Sequence, residues 1–214
     1  MGPDKETSGG RSFFNRFHSK WAGLSHRSKE VISTLSIIAA AVILAFGLTK
    51  FVIQSYQVEG SSMETTLQNN DRLIVNKIPR TLARLSGQAY IPHRGDIIIF
   101  NQDGLNFGAN REKQLIKRVI GLPGERVVVK NEQVSVYNKD YPGGFDPDKS
   151  GLYRIASPTT PGNTDITLGS DEVFVGGDNR TNSEDSRYFG PVKAEKIVGK
   201  LALRVIPLSK AQRF

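Results

Sequence analysis

"KQLIKRVIGLPGERVVVKNEQVSVYN", residues 113–138, sets the reading of the whole chain. It holds two aliphatic, β-branched runs, 113–121 and 124–138, punctuated by Gly and Pro, and its apolar residues do not recur at helical spacing. Such runs form strands. The first alternates, with Leu115, Lys117 and Val119 on one face and Ile116, Arg118 and Ile120 on the other. Further runs of the same kind are "DRLIVNK" (71–77), "GDIIIFN" (95–101), "DEVFVGG" (171–177) and "GKLALRVIP" (199–207). The last is expected to turn Leu201, Leu203 and Val205 to one side and Lys200, Ala202 and Arg204 to the other. No helical period separates these runs, which disfavours βαβ units. The expected fold is mainly β, a folded-over antiparallel sheet. Residues 139–168, "KDYPGGFDPDKSG…SPTTPGNTD", are rich in turn chemistry and are expected to form a loop-rich excursion, a small cap on the body.

Upstream the character changes. Residues 31–49, "VISTLSIIAAAVILAFGLT", carry no charge between Glu30 and Lys50. Nineteen helical residues span about 29 Å, close to the roughly 30 Å hydrocarbon core of a bilayer. A cleaved signal peptide is the rival reading. The long preceding arm and the length of the apolar run favour an uncleaved anchor over 31–53. Residues 1–30 hold six Lys/Arg against three Asp/Glu. That excess predicts a cytoplasmic N-terminus and a body, 54–214, on the extracytoplasmic side. Within the arm, "RSFFNRFHSKWAGL" (11–24) gathers Phe13, Phe14, Phe17, Trp21 and Leu24 on one side of a helical wheel. It reads either as a short helix lying in the bilayer surface or as a disordered basic tail.

Composition removes several chemistries. The chain has no cysteine, which excludes disulfides, thiol nucleophiles and cysteine-based zinc sites. The net charge of +8 comes from Lys and Arg scattered along the chain, without a dense block, so no nucleic-acid partner is expected. His93 is the only histidine beyond the apolar run, in the turn-like "IPHRGD", where a solvated side chain is the simpler reading. No HExxH pattern occurs, and nothing calls for a metal or an organic cofactor. In "GSSMETTL" (60–67), two adjacent serines follow a glycine. An alkyl hydroxyl is a weak nucleophile unless a base takes its proton, and here the base must be Asp, Glu, Lys or Tyr. Lys117 qualifies if burial lowers its pKa; Arg118 cannot deprotonate. Which serine reacts, and whether Lys117 is buried or faces water, stays open at this level.

The order of these stretches resembles the bacterial type I signal peptidases, the Ser-Lys leader peptidases. "GSSMETTL" is similar to their nucleophile box, "DRLIVNK" to the strand after it, and "GDIIIFN" with "KQLIKRVIGLPGE" to the general-base box. "GGDNRTNSEDSRYFGPV" (176–192) is similar to the last box. The resemblance runs from about 52 to 206. It implies a membrane-bound serine endopeptidase that removes signal peptides from secretory precursors after small residues. Ser62, before Met63, takes the place of the nucleophile and Lys117 that of the base. Ser183 matches a serine that orients the lysine amine, and the Ser62 backbone amide matches an oxyanion donor. Asp178 with Arg118, and Asp185 with Arg187, match bracing charged pairs. Val58, Met63, Leu67, Leu115 and Ile116 match the walls of apolar substrate pockets. Thr65 stands where the family usually has proline, which implies a looser turn. Gly60 stands where many members carry a hydroxyl, which leaves the oxyanion hole to backbone amides. The 139–168 excursion is shorter than the second domain of larger members. Self-cleaving repressor-type Ser-Lys peptidases and an inactive tethered binding domain are the alternatives.

Overall fold

The structure, a computed structural model, describes residues 25–102, 113–157 and 159–214. The candidate surface helix at 11–24 lies outside them. The chain divides into two units, residues 1–48 and 49–214. In the first, helix α1 (His26–Gly47) starts five residues ahead of the apolar run because Ser25 caps it, its hydroxyl accepting from the Ser28 N–H at 3.2 Å. None of its residues is buried. With the π turn that follows (Leu48–Val52), the helical span His26–Val52 is long and apolar enough to cross a membrane.

The second unit is built on antiparallel sheet. In chain order come β1 (Ile53–Gln57), β2 (Arg72–Asn76), helix α2 (Ile78–Leu85), β3 (Ile97–Gln102), β4 (Lys113–Gly121), β5 (Arg126–Lys130) and β6 (Gln133–Tyr137). They are followed by β7 (Thr164–Thr167), β8 (Glu172–Gly176), the single-turn helix α3 (Ser186–Phe189), β9 (Val192–Lys193), β10 (Ile197–Ile206) and β11 (Gln212–Arg213). Among the described residues the larger sheet runs β1-β2-β10-β3-β4-β8-β9, with β11 on β10; the smaller runs β6-β5-β7. Small-sheet residues Val127, Val129, Val134 and Val136 pack on Ile120 and Phe174 of the large sheet, with Tyr153 and Leu168. A second cluster joins Ile98, Phe100, Val119, Val173, Val175 and Ile197. A third, of Leu73, Ile97 and Leu201, lies under the segment joining β1 to β2. Each such aliphatic side chain stabilises the fold by about 1.5–3 kcal/mol on burial.

Every expected run contains a strand, though not every detail agrees, and β1 (Ile53–Gln57) was not among the expected runs. Residues 124–138 form a hairpin, β5 and β6, because Asn131 and Glu132 take left-handed φ of 50° and 61° and reverse the chain. The excursion 139–168 is not loop alone: Thr164–Thr167 pairs with β5 and completes the small sheet. In β10 a bulge between Leu201 and Leu203 breaks the expected alternation, so Leu203 is exposed and Arg204 is buried. Helix α2 was not expected. Its large apolar side chains, Ile78, Leu82 and Leu85, point away from the core.

Candidate active site

The segment 58–71 between β1 and β2 is closed at its mouth by Val58 N–H to Asp71 O and Asn70 N–H to Val58 O, both 2.9 Å. Inside it, Leu67 N–H donates to Met63 O at 2.8 Å, one helical turn, which puts both side chains on one side. Met63 and Leu67 are 1% and 0% exposed, packed with Leu73, Ile97 and Leu201. Ser62 is thereby left partly accessible. Its carbonyl accepts from the Asn179 N–H at 3.0 Å, and its own N–H has no partner among the described residues. The Ser61 hydroxyl is tied elsewhere, accepting from Asn182 Nδ2 at 2.7 Å.

Lys117 reaches the same place from β4, in register with Ile98 of β3 and on the face of Leu115 and Val119. It is 3% exposed, and its Nζ lies 2.6 Å from Ser62 Oγ. Burial disfavours the ammonium and lowers the lysine pKa to about 8; the nearby charges of Asp185, Glu184 and Asp178 offset part of that. The two expected charged pairs are both formed. Arg118 Nε and Nη2 donate to Asp178 at 2.7 and 2.6 Å, and the Thr66 hydroxyl also donates to that carboxylate. Arg187 Nε and Nη2 donate to Asp185 at 2.7 and 2.8 Å. Burial pushes the Asp185 carboxyl up. Arg187, the Gly177 N–H and the Ser183 hydroxyl outweigh that and hold it below its usual range.

Ser183 departs from expectation. Its hydroxyl donates to Asp185 Oδ2 at 2.7 Å, and among the described residues it makes no hydrogen bond to Lys117. A hydroxyl has one proton, so this one is not donated to the amine. Met63 and Leu67 depart as well. They are core residues beneath the serine, not walls of the groove, because the helical turn between them faces inward. Thr65 is exposed on a turn that keeps its hydrogen bonds, including Glu64 N–H to Ser61 O at 3.1 Å. Gly60 adopts φ 95°, and its N–H is taken by Asn69 Oδ1 at 3.1 Å. His93 is exposed in its loop.

A groove of about 430 Å³ runs past Ser62 and Lys117, with Val58, Leu115 and Ile116 among its apolar walls. Sequence reasoning missed Tyr56, Leu73, Ile99, Gln114 and Glu184, which also line it. Tyr56 lies on a strand that was not expected, Leu73, Ile99 and Gln114 meet only through strand pairing, and Glu184 arrives from the segment between β8 and α3. Beside the groove, residues 114–117 of β4 run past the pairing with β8, whose register ends at Arg118 opposite Gly176, and β1 is an outer strand of the large sheet. Among the described residues no group of three or more His, Asp or Glu side chains is placed to hold a metal ion.

Gly177 holds these parts in contact. A Cβ there would sit 2.2 Å from Ser183 Oγ and 2.5 Å from the Ser62 carbonyl oxygen. Gly177→Ala is therefore expected to push the serine segment away from the end of β8 and to lower kcat/KM for chemistry at Ser62 by at least ~100-fold, the size of effect a 1 Å misplacement produces. Kinetics on a folded variant, checked by near-ultraviolet circular dichroism, would test this; activity within threefold of the native chain would count against it.

A family model described as "Signal peptidase, peptidase S26" matches residues 31–206. "Probable signal peptidase I-2" of Synechocystis sp. is 37% identical over 173 residues, covering 81% of this chain and 72% of its own length. "Signal peptidase I" of Bacillus caldolyticus is 36% identical over 179 residues, covering 79% and 88%. "Signal peptidase IB" of Staphylococcus aureus is 29% identical over 194 residues, covering 85% and 93%. The crystal structure of a signal peptidase I from Enterococcus faecalis V583 is 28% identical, with a TM-score of 0.37 over 52% of this chain and 97% of that one.

Proposed function

Because the chain belongs to the S26 signal peptidase family by its match over residues 31–206, we propose that it removes signal peptides from secretory precursors by a Ser62–Lys117 dyad. The observation that carries this reading is the 2.6 Å contact between the buried Lys117 amine and the Ser62 hydroxyl. In the neutral form the amine accepts the hydroxyl proton as Ser62 Oγ attacks the carbonyl carbon after a small residue. The resulting oxyanion meets the Ser62 N–H. The protonated lysine then gives its proton to the departing peptide nitrogen, leaving an acyl-enzyme. The same amine next takes a proton from water for deacylation. The precursor lies extended in the groove, where β1 and residues 114–117 of β4 offer strand-like backbone, a form of β-augmentation. Ser183 acts indirectly, through Asp185. The Asp178–Arg118 pair steadies the serine segment through Thr66.

The same proposal places the chain in a bacterial cytoplasmic membrane. Residues 31–53 are the anchor, 1–30 a cytoplasmic arm and 54–214 the extracytoplasmic catalytic body. The apolar span His26–Val52 and the charge excess of the arm support this. Sharing a bilayer with the precursor's own apolar segment raises their effective concentration.

The test is to incubate the detergent-solubilised protein with a secretory precursor and sequence the new N-terminus, then to follow kcat/KM from pH 5 to 10. Cleavage after a small residue is expected, with a rate that rises through an apparent pKa near 8. The sign follows from the base acting only when unprotonated, so about a tenth of the plateau rate remains at pH 7. A rate flat across that range would remove Lys117 from the role.

A further inference from the structure

The chemistry proposed above uses Ser62, Lys117 and, behind them, Ser183 and Asp185. It leaves Glu184, between the last two, without a role. The local backbone dictates where that side chain goes. Ser183 (φ −137°, ψ 123°) and Asp185 (φ −148°, ψ −163°) are both extended, and successive side chains of an extended chain point to opposite sides. Ser183 and Asp185 are 8% and 0% exposed, turned inward toward Gly177 and Arg187. Glu184 is therefore turned outward, where it is exposed and lines the same groove as Ser62 and Lys117. The segment is pinned on both sides of it. Asn182 Nδ2 donates to Ser61 Oγ at 2.7 Å, and Arg187 Nη2 donates to Ser183 O at 3.2 Å. Among the described residues the Glu184 carboxylate makes no ion pair or hydrogen bond.

The other charges of the site fix the sign of the field there. Asp178 and Asp185 are paired with Arg118 and Arg187. Lys113 lines the groove too, about 13 Å from Lys117 along β4 at roughly 3.3 Å per residue. Glu59, exposed and three residues ahead of Ser62, is the other carboxylate of the lining. With Lys117 neutral, as catalysis requires, the groove beside the nucleophile carries unpaired negative charge. The dyad feels it. Burial lowers the Lys117 pKa, Asp185 and then Glu184 oppose that most, Lys113 acts with burial, and Asp178 adds a smaller opposing effect.

We propose that Glu184 is a specificity-determining residue that favours lysine or arginine at the first or second position after the cut and disfavours an acidic residue there. The inference rests on the Ser62–Lys117 reading and adds to it a rule for the leaving side. The apolar walls Val58, Leu115 and Ile116 come from β4 and the end of β1 and suit the small residues before the cut. Glu184 comes instead from the β8–α3 segment, which holds the serines through Asn179 and Asn182. An extended precursor that has filled the apolar walls meets this carboxylate beyond the nucleophile. An exposed ion pair shifts an equilibrium by up to about fivefold, and exchanging attraction for repulsion compounds that. Salt screens both.

The test uses the full-length protein in detergent. Its internally quenched peptide substrates have alanine at the first and third positions before the cut and differ only in Lys, Gln or Glu at the first or second position after it. In low salt the native chain is expected to cleave the Lys peptide with kcat/KM at least ~5-fold above the Glu peptide at one of those positions. In about 1 M salt the preference should fall below ~2-fold. Glu184→Gln should bring the two peptides within ~2-fold of each other, Glu184→Lys should reverse their order, and Glu184→Asp should keep it. Each ratio is taken within one variant, so a general loss of activity leaves it readable. On the Gln peptide, Glu184→Gln should also move the midpoint of the pH–rate profile below its native value near 8, because the lysine ammonium loses a negative neighbour. Equal native rates on Lys and Glu peptides, a ratio that Glu184→Gln leaves unchanged, or a midpoint that stays or rises would each overturn the proposal. So would a preference that survives Glu184→Gln and disappears in Glu59→Gln, which assigns the selection to Glu59. A native chain that cleaves none of the peptides would count instead against the Ser62–Lys117 reading itself.

Discussion

Ser62→Ala is expected to lower kcat/KM for precursor cleavage by at least ~10⁴-fold, the range seen when a serine nucleophile is removed from an otherwise intact site, whereas Ser61→Ala stays within about threefold of the native chain. The two residues are neighbours and chemically identical, so the contrast isolates geometry. Ser62 Oγ is 2.6 Å from a buried amine, and Ser61 Oγ accepts from an asparagine amide. An amide N–H bonded to a hydroxyl oxygen removes no proton and leaves Ser61 without a base. The fold should tolerate both changes, because neither hydroxyl belongs to the packed clusters and the side chains beneath, Met63 and Leu67, are untouched. The readout is kcat/KM on a precursor peptide, beside a melting curve showing that each variant folds. Ser61→Ala as inactive as Ser62→Ala in folded protein would overturn the assignment.

The split between what was and was not legible in the sequence follows from how local each feature is. The strands at 71–77, 95–101, 113–121 and 171–177 are written in consecutive residues and were readable as such. So was the face shared by Leu115, Lys117 and Val119, since a strand alternates without help from tertiary structure. Leu203 and Arg204 exchange places because a bulge inserts one residue against β2, a pairing event that the period of a single strand does not contain. Tyr56, Leu73, Ile99 and Glu184 come together only once β1, β2, β3 and the 178–186 segment are side by side. The resemblance to a family named Ser183 but did not say where its one proton goes. That depends on Asp185, fixed in turn by Arg187 and the Gly177 N–H. Helix α2 escaped because its apolar residues face away from the core, whereas sequence patterns are read on the assumption that they face in.

Lys117→Met should be as inactive as Ser62→Ala, losing at least ~10⁴-fold, and should also change stability in a direction that a purely structural lysine would not. Methionine has nearly the volume of the lysine stem and no basic nitrogen, so it fills the space beside Ile98 and Val119 without a cavity. The folded pKa of about 8 lies below the 10.5 of a free lysine. Below pH 8 the native chain therefore folds with a buried ammonium that the unfolded chain would keep in water. That penalty is about 3 kcal/mol at pH 7 and falls below about 1 kcal/mol by pH 10, as the folded and unfolded states come to bind similar numbers of protons. The stability of Lys117→Met relative to the native chain should thus be highest near neutral pH and should shrink as pH rises from 8 toward 10.5. Thermal melts in detergent at pH 7 and pH 10, on both proteins, measure the difference directly. A variant that gained nothing at pH 7, or gained the same at both values, would mean that the amine is not held neutral by burial. The catalytic reading would then lose the feature that distinguishes Lys117 from an ordinary strand lysine. Retained cleavage by Lys117→Met would be equally decisive, since among the described residues no other base lies within hydrogen-bond reach of the Ser62 hydroxyl.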